Sequence, residues 1–487
     1  MSRVQEILAR LKAMGVQPAG VADDSRQVQP GDVFLAYPGD LADGRHYIAD
    51  AVARGAVAVL WQAGGDFAWN RALTAANFPV DGLRALAGPL AHAVYGEPSA
   101  ALSLIAITGT NGKTTVSQFI AGALGGRCAV IGTLGAGFPG ALVETGFTTP
   151  EATMLMRLLA GFHRDGATAC ALEASSIGIE EGRMNGARVD VAVFTNFTRD
   201  HLDYHGSMEA YAAAKEKLFA WPGLRTAVIN LDDGLGRKLA AVTTARSVLG
   251  YAIGESGDVR AEQLTDTALG QRFELVLPNG RAAVETALLG RYNISNLLAV
   301  AAVLHDAGVD AVEIARRLAA LQAPAGRMER LGGVGEPLVV VDYAHTPDAL
   351  ENVLLTLRDV AAARGGCLSV IFGCGGDRDK GKRPQMGEVA ARLADRVLLT
   401  SDNPRSEDPA QIIADIRVGV AQAEIEPDRA LAIRRAITAA ADADVVLLAG
   451  KGHEAYQESA GVRTPFSDLE HARGAFELRR QGRREVA

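Results

Sequence analysis

A loop with two glycines, a lysine and two threonines at its end stands between an apolar run and a helical pattern. Its residues are Gly109, Thr110, Asn111, Gly112, Lys113, Thr114 and Thr115. Residues 104–107 read as a strand, and apolar residues recur at helical spacing from Val116. Backbone N–H groups at a helix N-terminus, a lysine ammonium and a following hydroxyl bind nucleotide phosphates and Mg²⁺. The glycines are closer together than in the usual pattern, and the alternative is a plain glycine turn. We predict ATP binding.

Acidic and imidazole side chains follow two other apolar runs. Glu173 follows residues 169–172, and a carboxylate at a strand end beside a phosphate loop can hold Mg²⁺. The alternative is an acid at the N-terminus of a helix. His201 lies just after another predicted strand, in a segment rich in His and Asp, so a metal or phosphate contact is the hypothesis. A surface or capping histidine is the alternative.

Two lysines follow on a segment that reads as a helix, residues 211–219. By spacing alone, Lys215 and Lys217 would both be solvated surface lysines.

The elements that must position these groups alternate between strands and helices. A chain of 487 residues is too long for one core, which favours three domains. Residues 1–99 mix short strands and helices, and residues 100–324 alternate as in a parallel sheet covered by helices. A Pro- and Gly-containing break at 323–326 predicts a hinge before a third alternating domain, 325–487. The predicted fold class is α/β, with a central P-loop ATPase-like domain and a Rossmann-like C-terminal domain.

In the third domain, polar clusters follow four apolar runs. They are residues 342–345, 373–378, 401–405 and 450–454. Open parallel sheets bind ligands beyond the carboxyl ends of their strands, so we expect one site rather than four unrelated turns. Turns at strand ends also favour Gly, Asp and Asn for backbone reasons, which is the alternative.

Composition excludes several classes of protein. The chain has 49 basic and 57 acidic residues, a net charge of −8, which argues against a general nucleic-acid surface. No apolar stretch is long enough for a membrane span, and charged residues interrupt the apolar positions of residues 3–12, as in an amphipathic helix rather than a signal peptide. Four cysteines without C-x-x-C spacing indicate reduced thiols in a cytoplasmic protein.

Six motifs, in order along the chain, resemble those of the Mur ligases, the ATP-dependent amide ligases of peptidoglycan precursor synthesis. They are residues 109–115, 200–203, 214–219, 292–296, 326–329 and 342–347. The resemblance runs from about residue 24 to about residue 470, where residues 24–26, 30–34 and 43–45 resemble a UDP-binding domain. The most similar member adds the third amino acid to UDP-N-acetylmuramoyl-L-alanyl-D-glutamate. A cytoplasmic monomer acting on small molecules, without nucleic acid or membrane, is the expectation.

The resemblance implies a catalytic set of Lys113, Glu173, His201 and Lys215. In this family the matching lysine is carbamylated, so N6-carboxylysine at 215 is implied, with two Mg²⁺ held by Thr114, Glu173, His201 and modified Lys215. Besides the loop at 109–115, the implied ATP-binding residues are Asn293, Asn296, Arg327 and Asp342. The implied UDP-muramoyl dipeptide site consists of Ser25, Asp40, Leu41, Ala42, Thr148, Thr149, Ser175, Glu181 and Arg183. The implied amino-acid site consists of Arg378, Asp402, Asn403, Pro404, Arg405, Gly450 and Glu454.

The identity of the added amino acid depends on residues 402–405, Asp-Asn-Pro-Arg. Family members that use meso-diaminopimelate carry this pattern, whereas lysine-adding members lack the arginine. Meso-diaminopimelate has a distal carboxylate, and a guanidinium binds a carboxylate bidentately. Two departures from the family pattern concern the dipeptide site: Glu181 stands in place of Gln, and Phe147 in place of the Asn that often precedes the paired threonines.

Two other functions are alternatives. A folylpolyglutamate synthetase has similar nucleotide motifs, but the N-terminal domain and residues 402–405 argue against it. A non-catalytic nucleotide-binding regulator would not require Lys113, Glu173, His201 and Lys215 together. Assaying phosphate release from ATP with and without the two other substrates would separate these functions.

Overall fold

The computed structural model describes residues 2–39, 42–65, 67–254, 256–267, 270–333 and 335–486. The N-terminal part forms a four-stranded parallel sheet in the order β1-β2-β3-β4. Its elements are α1 (Arg3–Ala13), β1 (Gly20–Ala22), β2 (Asp32–Ala36), α2 (Ile48–Ala53), β3 (Ala58–Trp61), β4 (Ala76–Pro79) and α3 (Leu83–Val94), with short 3-10 helices at Ser25–Gln27 and Gly44–Tyr47. Ile7 and Leu11 are buried, which confirms that α1 is amphipathic.

The central part is built on an eleven-stranded sheet in the order β15-β14-β13-β12-β11-β10-β5-β9-β6-β7-β8. Its elements are α4 (Pro98–Ala101), β5 (Ser103–Thr108), α5 (Lys113–Leu124), β6 (Cys128–Gly132), β7 (Gly135–Phe138), β8 (Ala141–Val143), α6 (Ala152–Arg164), β9 (Ala169–Glu173), α7 (Ser176–Glu180), β10 (Val191–Phe194), α8 (Leu202–His205), α9 (Met208–Phe219), β11 (Thr226–Asn230), α10 (Gly234–Val242), β12 (Ser247–Ile253), β13 (Val259–Thr267), β14 (Gly270–Leu277), β15 (Gly280–Thr286), α11 (Arg291–Asp306) and α12 (Ala311–Ala319).

The inner strands of this sheet are parallel, as the alternation of strands and helices predicts. Antiparallel pairs lie at both edges, formed by β13, β14 and β15 on one side and by β6, β7 and β8 on the other. The edge strands were not predicted. In β13, for example, buried and exposed residues are mixed along a largely polar sequence, so no continuous apolar run marks it.

The C-terminal part contains a six-stranded sheet in the order β16-β17-β21-β18-β19-β20. Its strands are parallel except for β16, and β22 and β23 form a separate hairpin. The elements are β16 (Glu329–Gly332), β17 (Leu338–Asp342), α13 (Pro347–Arg364), β18 (Leu368–Phe372), α14 (Lys382–Leu393), β19 (Arg396–Leu399), α15 (Pro409–Arg417), β20 (Glu424–Ile425), α16 (Arg429–Ala439), β21 (Val445–Ala449), β22 (Tyr456–Ser459), β23 (Val462–Pro465) and α17 (Asp468–Val486).

A single arginine ties the N-terminal sheet to the central part. Arg157 of α6 donates to the Asp32 carboxylate at 2.6 Å and to the Tyr95 hydroxyl at 2.9 Å. The same guanidinium donates to the carbonyls of Gln27 at 3.1 Å and Val21 at 3.2 Å. One planar guanidinium thus joins the central part to four points of the N-terminal part.

Membrane-spanning helices are not found in the described residues, since none of the helices there is both long enough and apolar enough to cross a bilayer. The four cysteines, all described, are free.

Candidate active site

The predicted phosphate loop joins the carboxyl end of β5 to the first turn of α5. Gly109 and Gly112 adopt φ values of +152° and +85°. A Cβ atom on Gly109 would lie 1.9 Å from Thr195 Oγ1, so this position has no room for a side chain. Lys113 Nζ donates to the carbonyls of Gly109 at 2.9 Å and Thr110 at 3.0 Å. The lysine ammonium therefore lies over the loop at the helix N-terminus, as a phosphate site requires.

Glu173, the last residue of β9, is fully buried beside this loop. Its carboxylate accepts hydrogen bonds from Thr114 Oγ1 at 3.0 Å and from the N–H and hydroxyl of Thr133 at 3.0 Å and 3.1 Å. Burial raises the pKa of Glu173, and the positive charge of Lys113 opposes that rise. Ser175, not Glu173, caps α7 with its side chain, so the alternative of a helix N-terminal acid is wrong.

Lys215 lies inside the molecule, with only 1% of its surface exposed. Its Nζ donates at 2.9 Å to the carbonyl of Gly109, the same oxygen that accepts from Lys113. Burial lowers the pKa of Lys215 well below its usual range, and the charge of Lys113 lowers it further. The expectation from spacing alone, a solvated Lys215, is therefore wrong. For Lys217 the same expectation holds, because its half-exposed side chain pairs with Glu180 at the surface.

His201 stands near Lys215 across the ring of Tyr211. The Lys215 ammonium lies 4.4 Å from the centre of this ring, and the imidazole centre of His201 lies 5.9 Å from it. His201 Nε2 is 3.4 Å from a carboxylate oxygen of Asp200. The backbone φ of His201 is +52°, a strained value for a residue other than glycine. Burial lowers the pKa of His201, so the neutral imidazole, the form that binds metals, is favoured.

Thr114 and Glu173 are the residues of this site at which Mg²⁺ could bind. Among the described residues, no group of three or more His, Cys, Asp and Glu side chains could hold a metal ion. The implied ligand set differs from such a group, because it depends on the hydroxyl of Thr114 and a modified Lys215. Thr114 Oγ1 and Glu173 Oε2 are 3.0 Å apart beside the phosphate loop, and both are oxygen donors of the kind that Mg²⁺ prefers. The residues present therefore fit a magnesium ion at this position.

A cavity of about 260 Å³ adjoins the loop and extends between the central and C-terminal parts. It brings together the predicted nucleotide residues Asn111, Gly112, Thr115, Asn293, Asn296, Arg327 and Asp342. The Asp342 carboxylate accepts from the N–H groups of residues 328 and 344 at 2.7 Å and 2.8 Å. Arg327 lies 4.5 Å over the Tyr343 ring and donates to Thr114 Oγ1 at 3.3 Å. The nucleotide residues thus form one continuous site with the phosphate loop.

Asp348 lines the same cavity and was not predicted from the sequence. Its carboxylate accepts from Asn111 Nδ2 at 3.0 Å and lies 3.5 Å from Thr198 Oγ1. Burial raises the pKa of Asp348. Asp348 belongs to the C-terminal part and Asn111 to the phosphate loop, so their hydrogen bond connects the two. An acid in the first turn of a helix is common, so the sequence carries no signal for this contact.

The residues of the central part that are predicted to bind the dipeptide lie together, next to Glu173 and Thr133. Thr149 Oγ1 donates to the Glu173 carbonyl at 2.7 Å and is 3.0 Å from Ser175 Oγ, while Thr148 Oγ1 contacts the hydroxyl of Thr133 at 3.0 Å. Arg183 Nη1 donates to the Thr149 carbonyl at 3.0 Å. Ser25 and Ala42 belong to the N-terminal part, and among the residues that the structure describes no side-chain hydrogen bond joins either of them to these residues. Asp40 and Leu41 lie outside the described residues.

The two departures from the family pattern meet at Arg183. Its Nε donates to the Glu181 carboxylate at 2.7 Å. On the other side, its guanidinium lies 4.9 Å from the centre of the Phe147 ring. An ion pair and a cation–π contact thus hold one guanidinium in place from two directions.

In the C-terminal part, the four polar clusters follow β17, β21, β18 and β19, which are neighbouring parallel strands. The prediction that they meet at one sheet edge is therefore confirmed. The loop after β19 contains buried Asp402, Asn403 and Pro404. Arg405 Nη1 donates to the Gly376 carbonyl at 2.8 Å, which brings the loops after β18 and β19 together.

Other members of the predicted amino-acid site surround this loop. A Cβ atom on Gly450 would lie 2.6 Å from Asp402 Oδ2, and Glu454 Oε2 accepts from Asn403 Nδ2 at 2.7 Å. Arg378 is exposed, and its Nη1 donates to the neighbouring Asp377 carbonyl at 3.1 Å. Lys451, buried among these groups, was not predicted. The sequence feature that could have indicated a functional role for Lys451 is its position between two glycines at the end of a strand.

Three family models match consecutive parts of the chain. They are the Mur ligase family, catalytic domain, at residues 19–95, the Mur ligase middle domain at residues 107–304, and the Mur ligase, glutamate ligase domain at residues 326–452.

Individual relatives match over nearly the whole chain. A protein of Ectopseudomonas mendocina, named UDP-N-acetylmuramoyl-L-alanyl-D-glutamate--2,6-diaminopimelate ligase, is 55% identical over 93% of this chain and 94% of its own length. A protein of Pseudomonas aeruginosa with the same name is 54% identical over 93% of this chain and 94% of its own. A solved structure of a ligase with that name is 39% identical, with a TM-score of 0.67 over 95% of both chains.

Proposed function

This chain belongs to the Mur ligase family, and we propose that it is the ATP-dependent ligase that joins meso-2,6-diaminopimelate to UDP-N-acetylmuramoyl-L-alanyl-D-glutamate. The relatives that carry this name support the choice of substrates. The observation that carries the reaction class is the group of buried and partly buried side chains around the phosphate loop. There Lys113 and Lys215 share the Gly109 carbonyl, and Thr114 contacts Glu173.

The proposed reaction has two steps. The γ-phosphoryl group of ATP passes to the free γ-carboxylate of the D-glutamyl residue and gives an acyl phosphate and ADP. The amine of diaminopimelate then attacks the acyl carbon, and the tetrahedral intermediate collapses to an amide and phosphate. Lys113 and the loop N–H groups stabilise the negative charge on the migrating phosphoryl group, and this stabilisation is strongest in the transition state.

Magnesium, when bound, supplies positive charge that offsets the charge of the phosphates. We propose that Thr114 and Glu173 hold one ion, and that His201 and carbamylated Lys215 hold a second. The lowered pKa of Lys215 supports this modification, because only the neutral amine adds CO₂. A carbamate would replace a cation by anionic oxygen ligands while keeping one N–H on Nζ for the Gly109 carbonyl.

We assign the nucleotide to the cavity lined by Asn293, Asn296, Arg327 and Asp342. The muramoyl dipeptide would lie along Thr148, Thr149, Ser175, Glu181 and Arg183, with Ser25, Asp40, Leu41 and Ala42 toward its UDP end. The amino acid would lie at Arg378, Asp402, Asn403, Pro404, Arg405, Gly450 and Glu454.

Three broader assignments belong to the same proposal. We propose domain boundaries after residues 99 and 324, close to the limits of the three family matches. We also propose that the protein acts as a monomer in the cytoplasm.

Phosphate release from ATP tests the proposal directly. Release should require both the dipeptide nucleotide and diaminopimelate, and the product should gain the mass of one diaminopimelate residue. Equal or faster release with L-lysine would overturn the assignment of the amino acid. Release that depends on a folate and glutamate would indicate a folylpolyglutamate synthetase, and ATP binding without release would indicate a regulator. Lys113→Ala serves as the inactive control.

A further inference from the structure

Lys451, the second residue after β21, is completely buried between the loops of the amino-acid site. Its Nζ donates to Asn403 Oδ1 at 3.1 Å and to Glu454 Oε2 at 3.3 Å. It also lies 3.7 Å from Asp402 Oδ1. A single internal ammonium thus contacts three side chains of the proposed amino-acid site, although it was not itself assigned to that site.

These contacts fix the orientation of the Asn403 amide. Its Oδ1 accepts from Lys451 Nζ and from the N–H of Glu458 at 3.0 Å. With both donors on the oxygen, Nδ2 must face the other way, where it donates to Glu454 Oε2 at 2.7 Å. Lys451, Asn403 and Glu454 therefore form a closed triangle of hydrogen bonds that locks the Glu454 carboxylate.

The carboxylates of this group outnumber its ammonium before substrate arrives. Burial and the nearby Asp402 raise the pKa of Glu454, and Lys451 opposes that rise. With Lys451 present, two carboxylates and one ammonium leave one uncompensated negative charge, which matches one substrate ammonium group.

We propose that Lys451 is a positioning residue for the amino-acid substrate. It holds Asp402, Asn403 and Glu454 in the geometry that receives the substrate ammonium. It does not touch the reacting atoms. The inference rests on the proposed function, because it assumes that diaminopimelate binds at this sheet edge.

The steady-state constants of Lys451→Met test this role. Methionine preserves the length of the side chain and removes its charge. The KM for diaminopimelate should rise by about 10- to 100-fold, by analogy with the loss of a residue that orients a metal ligand. The kcat and the KM values for ATP and the dipeptide nucleotide should change by less than about threefold, because those sites do not contact Lys451. General damage to the fold would instead change all of these constants.

Lys380→Met is the matched control. Lys380 lies in the same part of the chain, is largely exposed, and pairs at 3.2 Å with Glu407. Its replacement should leave the KM for diaminopimelate unchanged. A Lys451→Met enzyme with the native KM for diaminopimelate would overturn the inference while leaving the proposed function intact. If the native enzyme does not use diaminopimelate, both fail.

Two further measurements cover the case in which Lys451→Met does not fold. Lys451→Gln keeps a hydrogen-bond donor without the charge and should show the same selective rise in KM. In native protein labelled with ¹⁵N-lysine, the protected ammonium signal of Lys451 should shift when diaminopimelate is added to saturation. An unchanged signal would contradict the inference.

Discussion

Replacing Arg405 should abolish the preference for meso-diaminopimelate over L-lysine. The backbone of this residue is anchored, because its N–H donates to the Glu458 carbonyl and its carbonyl accepts from Ala460. Its Nη1 donates to the Gly376 carbonyl, and among the described residues no hydrogen-bond acceptor is found for Nε or Nη2. That edge of the guanidinium can therefore bind the distal carboxylate bidentately.

The expected magnitude follows from the burial of Arg405. Breaking a buried, hydrogen-bonded charge pair costs about 2–5 kcal/mol. Arg405 is half-buried, so solvent screens part of the interaction, and we expect about 2–3 kcal/mol. This corresponds to a loss of about 30- to 160-fold in kcat/KM for diaminopimelate with Arg405→Ala. Lysine has no distal carboxylate, so its kcat/KM should change by less than about threefold.

The assay compares phosphate release with each amino acid for native enzyme, Arg405→Ala and Arg405→Lys. The lysine variant keeps the charge but not the planar fork, and should lie between the other two. Arg435→Ala, a half-exposed arginine of α16, is the control and should behave as native. Equal losses for both amino acids would show that Arg405 supports its loop, which would refute the reasoning.

Substitutions at three other positions test the phosphate site and the adjoining nucleotide cavity. Lys113→Ala should reduce kcat by about 100-fold or more, because transition-state charge loses a preorganised donor, and a loss below about tenfold would contradict the phosphate-loop assignment. Lys215→Ala should abolish ligation without unfolding the protein, and circular dichroism would verify that the fold is intact. Added short carboxylates should restore part of the ligation rate. Near-native turnover without added carboxylates would exclude a metal-binding role for Lys215. Asp348→Ala should raise the KM for ATP by about tenfold, because it removes one charge-assisted hydrogen bond to Asn111. Asp348→Asn should have a smaller effect. An unchanged KM for ATP in the alanine variant would exclude a role of Asp348 in closing the site.

The buried parallel strands could be predicted almost to the residue. Val191–Phe194 is a continuous apolar run, and Leu368–Phe372 is interrupted only by Ser369, because both faces of a parallel sheet are covered by helices. The mixed strands β13 and β14 carry no such run and were missed. Their structure depends on pairing with each other, and a local sequence pattern cannot predict that pairing.

The functional side chains likewise include some whose position could be predicted from the sequence and some whose position could not. Residues at strand ends, such as Glu173 and Asp402, could be located because topology fixes where parallel strands end. The burial of Lys215 could not, because it depends on the Gly109 loop that packs over its helix. Lys451 and Asp348 were missed for a similar reason, since each derives its role from partners that are distant in the chain.

The contacts of Arg157 have a consequence for how the enzyme would distinguish precursors of different length. Under the proposed function, these contacts between the N-terminal and central parts would help to keep a UDP group bound in the N-terminal part at a set distance from the phosphate loop. A precursor that is one amino acid too short would fall short of the phosphoryl donor by about 3.5 Å or more. Misplacement of reacting atoms by about 1 Å already costs about 100-fold in rate. Under the proposed function, the length of an incomplete precursor would therefore act against it, in addition to the contacts with the dipeptide-binding residues that it would lack.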